Sequence, residues 1–128
     1  LKPMATIKSM AVAGDEPTIM LLGPIPAMRK ALKRAGNMTM EDMDIIEPNE
    51  AFASPPLAFA KEFRYPLDDR RVNPTGGAIA LGHPIGATGV IYFTEMIYEM
   101  QRRGLRYGIE TLCGGGGVGI ATVVEREK

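Results

Sequence analysis

The stretch "LRYGIETLCGGGGVGIATVVE", residues 105–125, holds two β-rich segments separated by four consecutive glycines. The segment "LRYGIETLC" predicts one strand, Gly114 to Gly117 predict a turn, and "VGIATVVE" predicts a second strand. The chain's single cysteine, Cys113, falls at the end of the first strand, just before the turn. The end of the chain is therefore predicted to be a β-hairpin with a thiol beside its glycine turn.

A long apolar helix is predicted immediately before this hairpin, over residues 85–103. Its polar stripe is narrow and consists chiefly of Glu95, Glu99, Arg102 and Arg103, at spacings that favour ion pairs. A helix that is apolar nearly all round belongs in the interior of a large protein. We expect a central helix that needs more cover than 128 residues supply.

The remaining segments alternate between strand and helix signals, which indicates an α/β domain spanning residues 1–128. Strands are predicted at residues 5–13, in "DIIEPN" and near Val72, with helices over residues 26–35 and 50–63 and a capping box between Thr39 and Asp42. An interior proline costs a helix about 3 kcal/mol or more. A kink or restart is therefore expected at Pro55-Pro56.

Composition excludes several classes of partner. Lys plus Arg and Asp plus Glu number 15 each, so no nucleic-acid patch is indicated. No apolar run reaches membrane-spanning length, and no signal peptide is visible. One cysteine and one histidine are too few for a structural zinc site or an internal disulfide. We expect a soluble, cytoplasmic protein without a metal. Because the chain begins Leu1-Lys2-Pro3, we also expect it to be part of a longer one.

Two residues set among glycines are candidates for chemistry. Cys113 precedes a turn whose backbone N–H groups can stabilise an oxyanion, so its thiol can be a nucleophile or a proton shuttle. Equally, it can be a small buried hydrophobic residue. His83, between Gly82 and Pro84, can exchange a proton or be fixed by a backbone hydrogen bond. Asn49, after a predicted strand, is a weaker candidate, because Asn there is often a turn residue. The glycines fit neither a Walker loop nor a dinucleotide fingerprint.

Three segments together resemble a known pattern. "NEAFA" (49–53), "GGAIALGHPIGATG" (76–89) and "CGGGGVG" (113–119) are similar, in order and spacing, to the three C-terminal active-site motifs of the thiolases. This family comprises the acetyl-CoA acetyltransferases and 3-ketoacyl-CoA thiolases. The resemblance extends over essentially the whole chain. It implies the C-terminal half of the thiolase fold, in which a mixed sheet packs with helices and residues 85–103 form a central helix.

The resemblance also implies roles for individual residues. Cys113 resembles the family's acid/base cysteine, and His83 resembles the histidine that activates the nucleophile and donates to the thioester oxyanion. Asn49 resembles the residue that holds a water in that oxyanion hole. The N–H of Gly115 resembles a donor of a second oxyanion hole.

The resemblance further implies a site for coenzyme A thioesters, which are substrates, with no tightly bound cofactor. Ala51 and Phe52 resemble residues that line the pantetheine tunnel. Met20 matches a family methionine near the acyl pocket.

The family's nucleophile is a different cysteine, carried by the N-terminal half, and this chain has no second cysteine. We therefore expect the C-terminal part of a CoA-dependent thiolase of fatty acid metabolism, a transferase that is inactive without its N-terminal half. The full enzyme is expected to be a homodimer or tetramer. The alternatives are a non-catalytic acyl-CoA binding or scaffold module and a stand-alone Cys/His acyl transferase.

Overall fold

A four-stranded mixed sheet with helices on both faces forms the computed structural model, which describes residues 1–127. The elements in chain order are β1 (Ala5–Gly14), α1 (Pro24–Arg34), a 3-10 turn (Met40–Asp42), β2 (Ile45–Pro48), α2 (Ser54–Phe63), α3 (Ala78–Leu81), α4 (Thr88–Arg103), β3 (Tyr107–Gly114) and β4 (Val118–Arg126). The strand order is β1-β4-β3-β2. Only β2 and β3 pair in parallel among these strands. The predicted α/β class is thereby confirmed.

The predicted hairpin is present. Cys113 pairs with Gly119 and Gly114 with Val118, so Gly114 belongs to β3 and the turn comprises Gly115 to Gly117, one residue fewer than predicted. β1 then pairs antiparallel with the outer side of β4, from Ala5 opposite Arg126 to Gly14 opposite Val118. The sequence predicted β1 as a strand but gave no partner for it.

Helix α1 covers one face of the sheet. Its residues Ala27, Met28 and Ala31 are fully buried, and the Ser9 hydroxyl of β1 donates to the Ala31 carbonyl over 2.7 Å. Amphipathic spacing explains this, because the apolar residues recur every three or four positions while Lys30, Lys33 and Arg34 lie outside. The main core therefore lies between α1, α2 and this face.

Helix α4 covers part of the opposite face. Met96 and Met100 are fully buried against Ile45 and Val124. A Cβ at Gly108 of β3 would lie 2.7 Å from the Met96 sulfur, so glycine there lets the helix come close to the sheet. This second cluster fixes α4 over β2 and β3.

The remainder of that face is uncovered. Met10 and Val12 of β1 are 61% and 58% exposed, and Val118 and Ile120 of β4 are 39% and 42% exposed. Strand pairing joins these four residues into one apolar surface, since Val12 lies opposite Ile120. We call this surface the open sheet face. Contiguous exposed apolar surface of this kind is typical of an interaction surface.

Four details differ from the sequence predictions. The kink expected at Pro55-Pro56 is wrong, because α2 begins at Ser54 and the prolines occupy its first turn, where no N–H donor is needed. The central helix is present but begins at Thr88 rather than residue 85. The short helix α3 was not predicted. Near Val72, a single bridge to Ile46 replaces the expected strand.

The glycine hairpin packs against the start of α1 through backbone alone. A Cβ at Gly119 would lie 2.0 Å from the Gly23 carbonyl carbon, and one at Gly23 would lie 2.6 Å from the Gly117 oxygen. Real Cβ atoms do not come this close to backbone, so neither position admits a side chain without movement. This contact ties the glycine turn and the start of β4, the strand that pairs with Cys113, to the start of α1.

We predict that Gly119→Ala destabilises the chain by about 1–3 kcal/mol, the usual cost of overpacking. The matched control is Gly115→Ala, because a Cβ at Gly115 meets nothing within 4 Å. This control should change stability by less than about 0.5 kcal/mol. Urea unfolding midpoints measure both variants, and equal midpoints would contradict the backbone contact.

Candidate active site

Asn49 stands at the carboxyl end of β2. Its N–H donates to the Thr111 carbonyl of β3 over 2.9 Å, which continues the parallel ladder by one residue. The side chain is only 2% exposed, and neither amide atom has a hydrogen-bond partner within residues 1–127. A buried amide without partners costs free energy, so an ordered water or a ligand atom is the expected partner.

Cys113 lies two residues beyond Thr111, at the end of the neighbouring strand. The thiol is half-buried, and burial raises the pKa of Cys113 above its ordinary value. The turn that follows is built from Gly116 and Gly117, both with φ near +80°, which only glycine adopts without strain. Gly115 is exposed with open space around its Cα.

His83 precedes α4 and is held to that helix. Its Nδ1 lies 2.7 Å from the Oγ1 of Thr88, whose side chain is fully buried. The Pro84 carbonyl lies 3.0 Å from Oγ1 and can only accept, so the single Thr88 hydroxyl hydrogen is assigned to it and Oγ1 accepts from Nδ1–H. A neutral His83 therefore carries its proton on Nδ1 and leaves Nε2 free to accept one.

The start of α4 brings the His83 loop to the edge that carries Cys113. A Cβ at Gly89 would lie 3.4 Å from a Leu112 methyl group, so the first turn of α4 packs on the residue before the thiol. The Tyr92 hydroxyl also donates to the Gly82 carbonyl over 3.2 Å. Asn49, His83 and Cys113 thus come from three elements that meet at one end of the sheet.

The other three predicted site residues lie in loops near this end. Phe52 is 61% exposed and Ala51 is half-buried, both between β2 and α2. Met20 is half-buried, with φ of 59°, in the loop after β1. That loop is tied to the glycine turn, because the Asp15 N–H donates to the Gly117 carbonyl over 2.8 Å.

Sequence reasoning missed two buried carboxyl groups beneath this edge. Glu47 is 1% exposed and lies beside Glu110, which is 6% exposed, in the parallel ladder. Burial, and then the nearby charges of Glu95 and Glu110, raise the pKa of Glu47 to about 8, while burial alone raises the pKa of Glu110 to about 8. Glutamates inside otherwise apolar strand segments were the available signal.

Within residues 1–127, no group of three His, Cys, Asp or Glu side chains is arranged to hold a metal ion. None of the helices in this range has the length and apolar character required to cross a membrane.

Comparison with known proteins agrees with this architecture. Residues 1–126 match the family described as "Thiolase, C-terminal domain". The chain is 55% identical over 126 residues to an acetyl-CoA acetyltransferase of Chromobacterium violaceum, covering 98% of this chain and 31% of the relative. It is 48% identical over 126 residues to the steroid 3-ketoacyl-CoA thiolase FadA6 of Mycobacterium tuberculosis, covering 98% of this chain and 30% of that protein.

A solved structure shares the fold. The crystal structure of the Bacillus anthracis acetyl-CoA acetyltransferase superposes with a TM-score of 0.93 at 46% identity, over 99% of this chain and 32% of that one. The fold is therefore that of a thiolase C-terminal domain. The chain belongs to the thiolase family, and it spans about a third of the length of the relatives that it matches.

We predict that the stability of the chain falls as the pH rises from about 5 to 8. The unfolded chain releases the protons of Glu47 and Glu110 above the ordinary pKa of 4.5, whereas the folded chain holds them up to about pH 8. The resulting stabilisation is complete below pH 4.5 and is lost towards pH 8, by about 1 kcal/mol per pH unit for each carboxyl.

Urea midpoints at pH 5, 6, 7 and 8 measure this slope. Glu47→Gln should reduce it by about half, because the amide has no proton to release and Glu110 remains. Glu62→Gln, at an exposed carboxylate paired with Arg29, is the matched control and should leave it unchanged. A wild-type midpoint that stays constant or rises over this range would show that the buried carboxyls are not held neutral.

Proposed function

We propose that the chain is the C-terminal part of a CoA-dependent thiolase, which converts 3-ketoacyl-CoA and CoA to acyl-CoA and acetyl-CoA, or runs the reverse reaction. The observation that supports this proposal is that the elements carrying Asn49, His83 and Cys113 meet at one end of the sheet, in a fold that matches a thiolase C-terminal domain. The names of the relatives support acyl transfer between CoA thioesters.

Cys113 is proposed as the acid of thiolysis. A nucleophilic thiolate from the N-terminal part attacks C3 of the substrate, and the C2–C3 bond breaks with its electron pair remaining on C2. The Cys113 thiol then gives its proton to C2, which forms the methyl group of acetyl-CoA, while the acyl group stays on the nucleophilic sulfur. The incoming CoA thiol gives its proton to the Cys113 thiolate, and its sulfur takes the acyl group as the nucleophilic thiolate leaves. Burial raises the pKa of Cys113, so the thiol is protonated and ready to act as an acid. A resting nucleophile would instead need a lowered pKa.

His83 is proposed to accept the proton of the nucleophilic thiol. With Nδ1–H assigned as the donor to Thr88, Nε2 is left as the acceptor. Once protonated, Nε2–H donates to the carbonyl oxygen as negative charge develops there. Both steps use the same nitrogen, and the second is the electrostatic stabilisation that contributes most in acyl transfer.

Asn49 and Gly115 are proposed to supply further hydrogen-bond donors, Asn49 through a water in the first oxyanion hole and the Gly115 N–H in a second one. The unpartnered amide of Asn49 is suited to hold a water that donates to the same oxyanion. Gly115 has open space in front of it, so a thioester can approach its N–H closely. The exposed Phe52, with Ala51 and Met20, is proposed to line the channel for the pantetheine arm and the acyl group, with CoA thioesters as substrates and no tightly bound cofactor.

The N-terminal part of the thiolase is proposed to cover the open sheet face and the exposed side of α4. On α4, Val90 is 71% and Tyr98 62% exposed, on a helix whose other side is fully buried. Apolar surface of this kind is typical of an interface inside a larger protein. We also propose that the complete enzyme is a homodimer or tetramer. We propose a cytoplasmic location, because Cys113 must remain a free thiol to work and thiols stay reduced in that compartment.

The function is tested by joining this chain to the N-terminal two thirds of the Chromobacterium violaceum relative, in place of that protein's matching region. We expect the chimera to cleave acetoacetyl-CoA and the 128-residue chain alone to be inactive. In the chimera, Cys113→Ala should lower kcat by about a hundredfold or more. His83→Ala should lower it by about 10²–10³. Glu62→Gln is the control and should retain activity.

Other outcomes favour other functions. Turnover by the isolated chain, with an acyl adduct on Cys113 in intact mass spectra, would identify a stand-alone acyl transferase and overturn the half-enzyme proposal. Binding of acetoacetyl-CoA without turnover by a folded chimera would favour a non-catalytic module.

A second prediction tests the open sheet face. Ile120→Lys should leave the melting temperature of the isolated chain within about 2 °C, because the side chain is already exposed there. In the chimera the same lysine would be buried, and the melting temperature should fall by at least about 5 °C. Leu67→Lys, at a 73% exposed site outside this face, is the control and should change neither. Equal effects of Ile120→Lys in both proteins would contradict the proposed cover.

A further inference from the structure

The neighbour of Asn49 makes contacts that the proposed chemistry does not use. Glu50 extends its carboxylate to the segment that leads to His83. Its Oε1 accepts from the Asn73 side-chain amide over 2.8 Å, and its Oε2 accepts from the Ile79 N–H over 3.1 Å. The Asn73 amide also donates to the Pro48 carbonyl over 3.2 Å. The end of β2 and the His83 segment are therefore joined through one carboxylate.

The contact is close as well as polar. A Cβ at Gly77 would lie 2.3 Å from the Glu50 carboxyl carbon and 2.3 Å from its Oε2. The backbone of residue 77 thus rests against the carboxylate, and only glycine leaves room for it. Glycine is required here because the Glu50 carboxylate lies so close to the backbone. The backbone conformation does not require it, since φ is −101°.

The His83 segment is held on its other side by α4. Tyr92 donates to the Gly82 carbonyl, and Thr88 accepts from His83 itself. Towards β2, the Glu50 carboxylate bonds to Ile79, three residues before Gly82. Glu50 therefore bridges the strand end that carries Asn49 and the segment that carries His83.

We propose that Glu50 is a positioning residue, which sets the distance between the Asn49 amide and the His83 imidazole so that both reach one oxyanion. This inference rests on the proposed thiolase function. Glu50 itself does not touch the reacting atoms. Its effect is expected in kcat rather than in KM, because misplacing a catalytic group by about 1 Å can cost about a hundredfold in rate.

The hydrogen-bond pattern offers a rescue test. In the wild type, one carboxylate oxygen of Glu50 accepts from Asn73 and the other accepts from Ile79. Glu50→Gln keeps one of these acceptors and replaces the other with an NH₂ group, which faces a donor and cannot bond to it. Asn73→Asp alone places a second carboxylate against that of Glu50, and the two repel each other. In the double variant Glu50→Gln/Asn73→Asp, the new amide donates to the new carboxylate and the Ile79 N–H recovers an acceptor. Asn73 has φ of 42°, a conformation that Asp also tolerates.

The experiment measures amide exchange at Ile79 in the 128-residue chain, and kcat and KM in the chimera. We expect Glu50→Gln to speed exchange about tenfold, the effect of one lost hydrogen bond. It should lower kcat about tenfold or more with KM within about twofold. The double variant should recover part of both losses. Glu62→Gln, which also removes one exposed negative charge, should change neither.

The possible failures are distinguishable. An active chimera whose kcat is unaffected by Glu50→Gln, or whose loss the double variant does not reduce, would overturn the positioning role and leave the function intact. A wild-type chimera that folds without activity would overturn the proposed function. Ile79 exchange that neither Glu50→Gln nor Glu50→Ala, which removes both acceptors, alters would overturn the bridge itself, whatever the activity.

Discussion

The parallel pairing of β2 with β3 is the interaction on which the candidate site depends. Parallel strands bring their carboxyl ends to the same edge, so the residue after β2 and the end of β3 become neighbours. Asn49 bonds to Thr111, and Cys113 follows two residues later. An antiparallel pairing of the same strands would put Asn49 and Cys113 at opposite ends of the sheet. The direction of the strands therefore determines whether Asn49 and Cys113 can contribute to one site.

The hairpin and the central helix could be predicted because their signals are local. A glycine run between two β-rich segments has few other meanings, and an apolar pattern of helical length needs no knowledge of its partners. The three motif segments were likewise visible in the sequence. The structure brings the elements that carry them to one end of the sheet, while the roles of the individual residues remain predictions.

Other features depended on distant contacts. The pairing of β1 with β4 joins residues more than a hundred positions apart, as in Gly14 opposite Val118, and no local pattern encodes it. The prolines of α2 were misjudged because their effect depends on where the helix starts. The burial of Glu47 could not be predicted, because β2 is buried on both faces. Such a strand does not alternate between apolar and polar residues, so its sequence does not show which side chains face solvent.

The open sheet face has a consequence for the order of synthesis. In relatives about three times as long, a C-terminal domain of this kind leaves the ribosome last, after the segments proposed to cover it are already made. Its exposed Met10, Val12 and Ile120 would then meet their cover soon after they emerge. If this domain stood at the N-terminus, the same surface would be synthesised before its cover. It would then stay exposed to solvent for longer and could associate with other chains. With the proposed cover, a C-terminal position shortens the interval in which aggregation competes with folding.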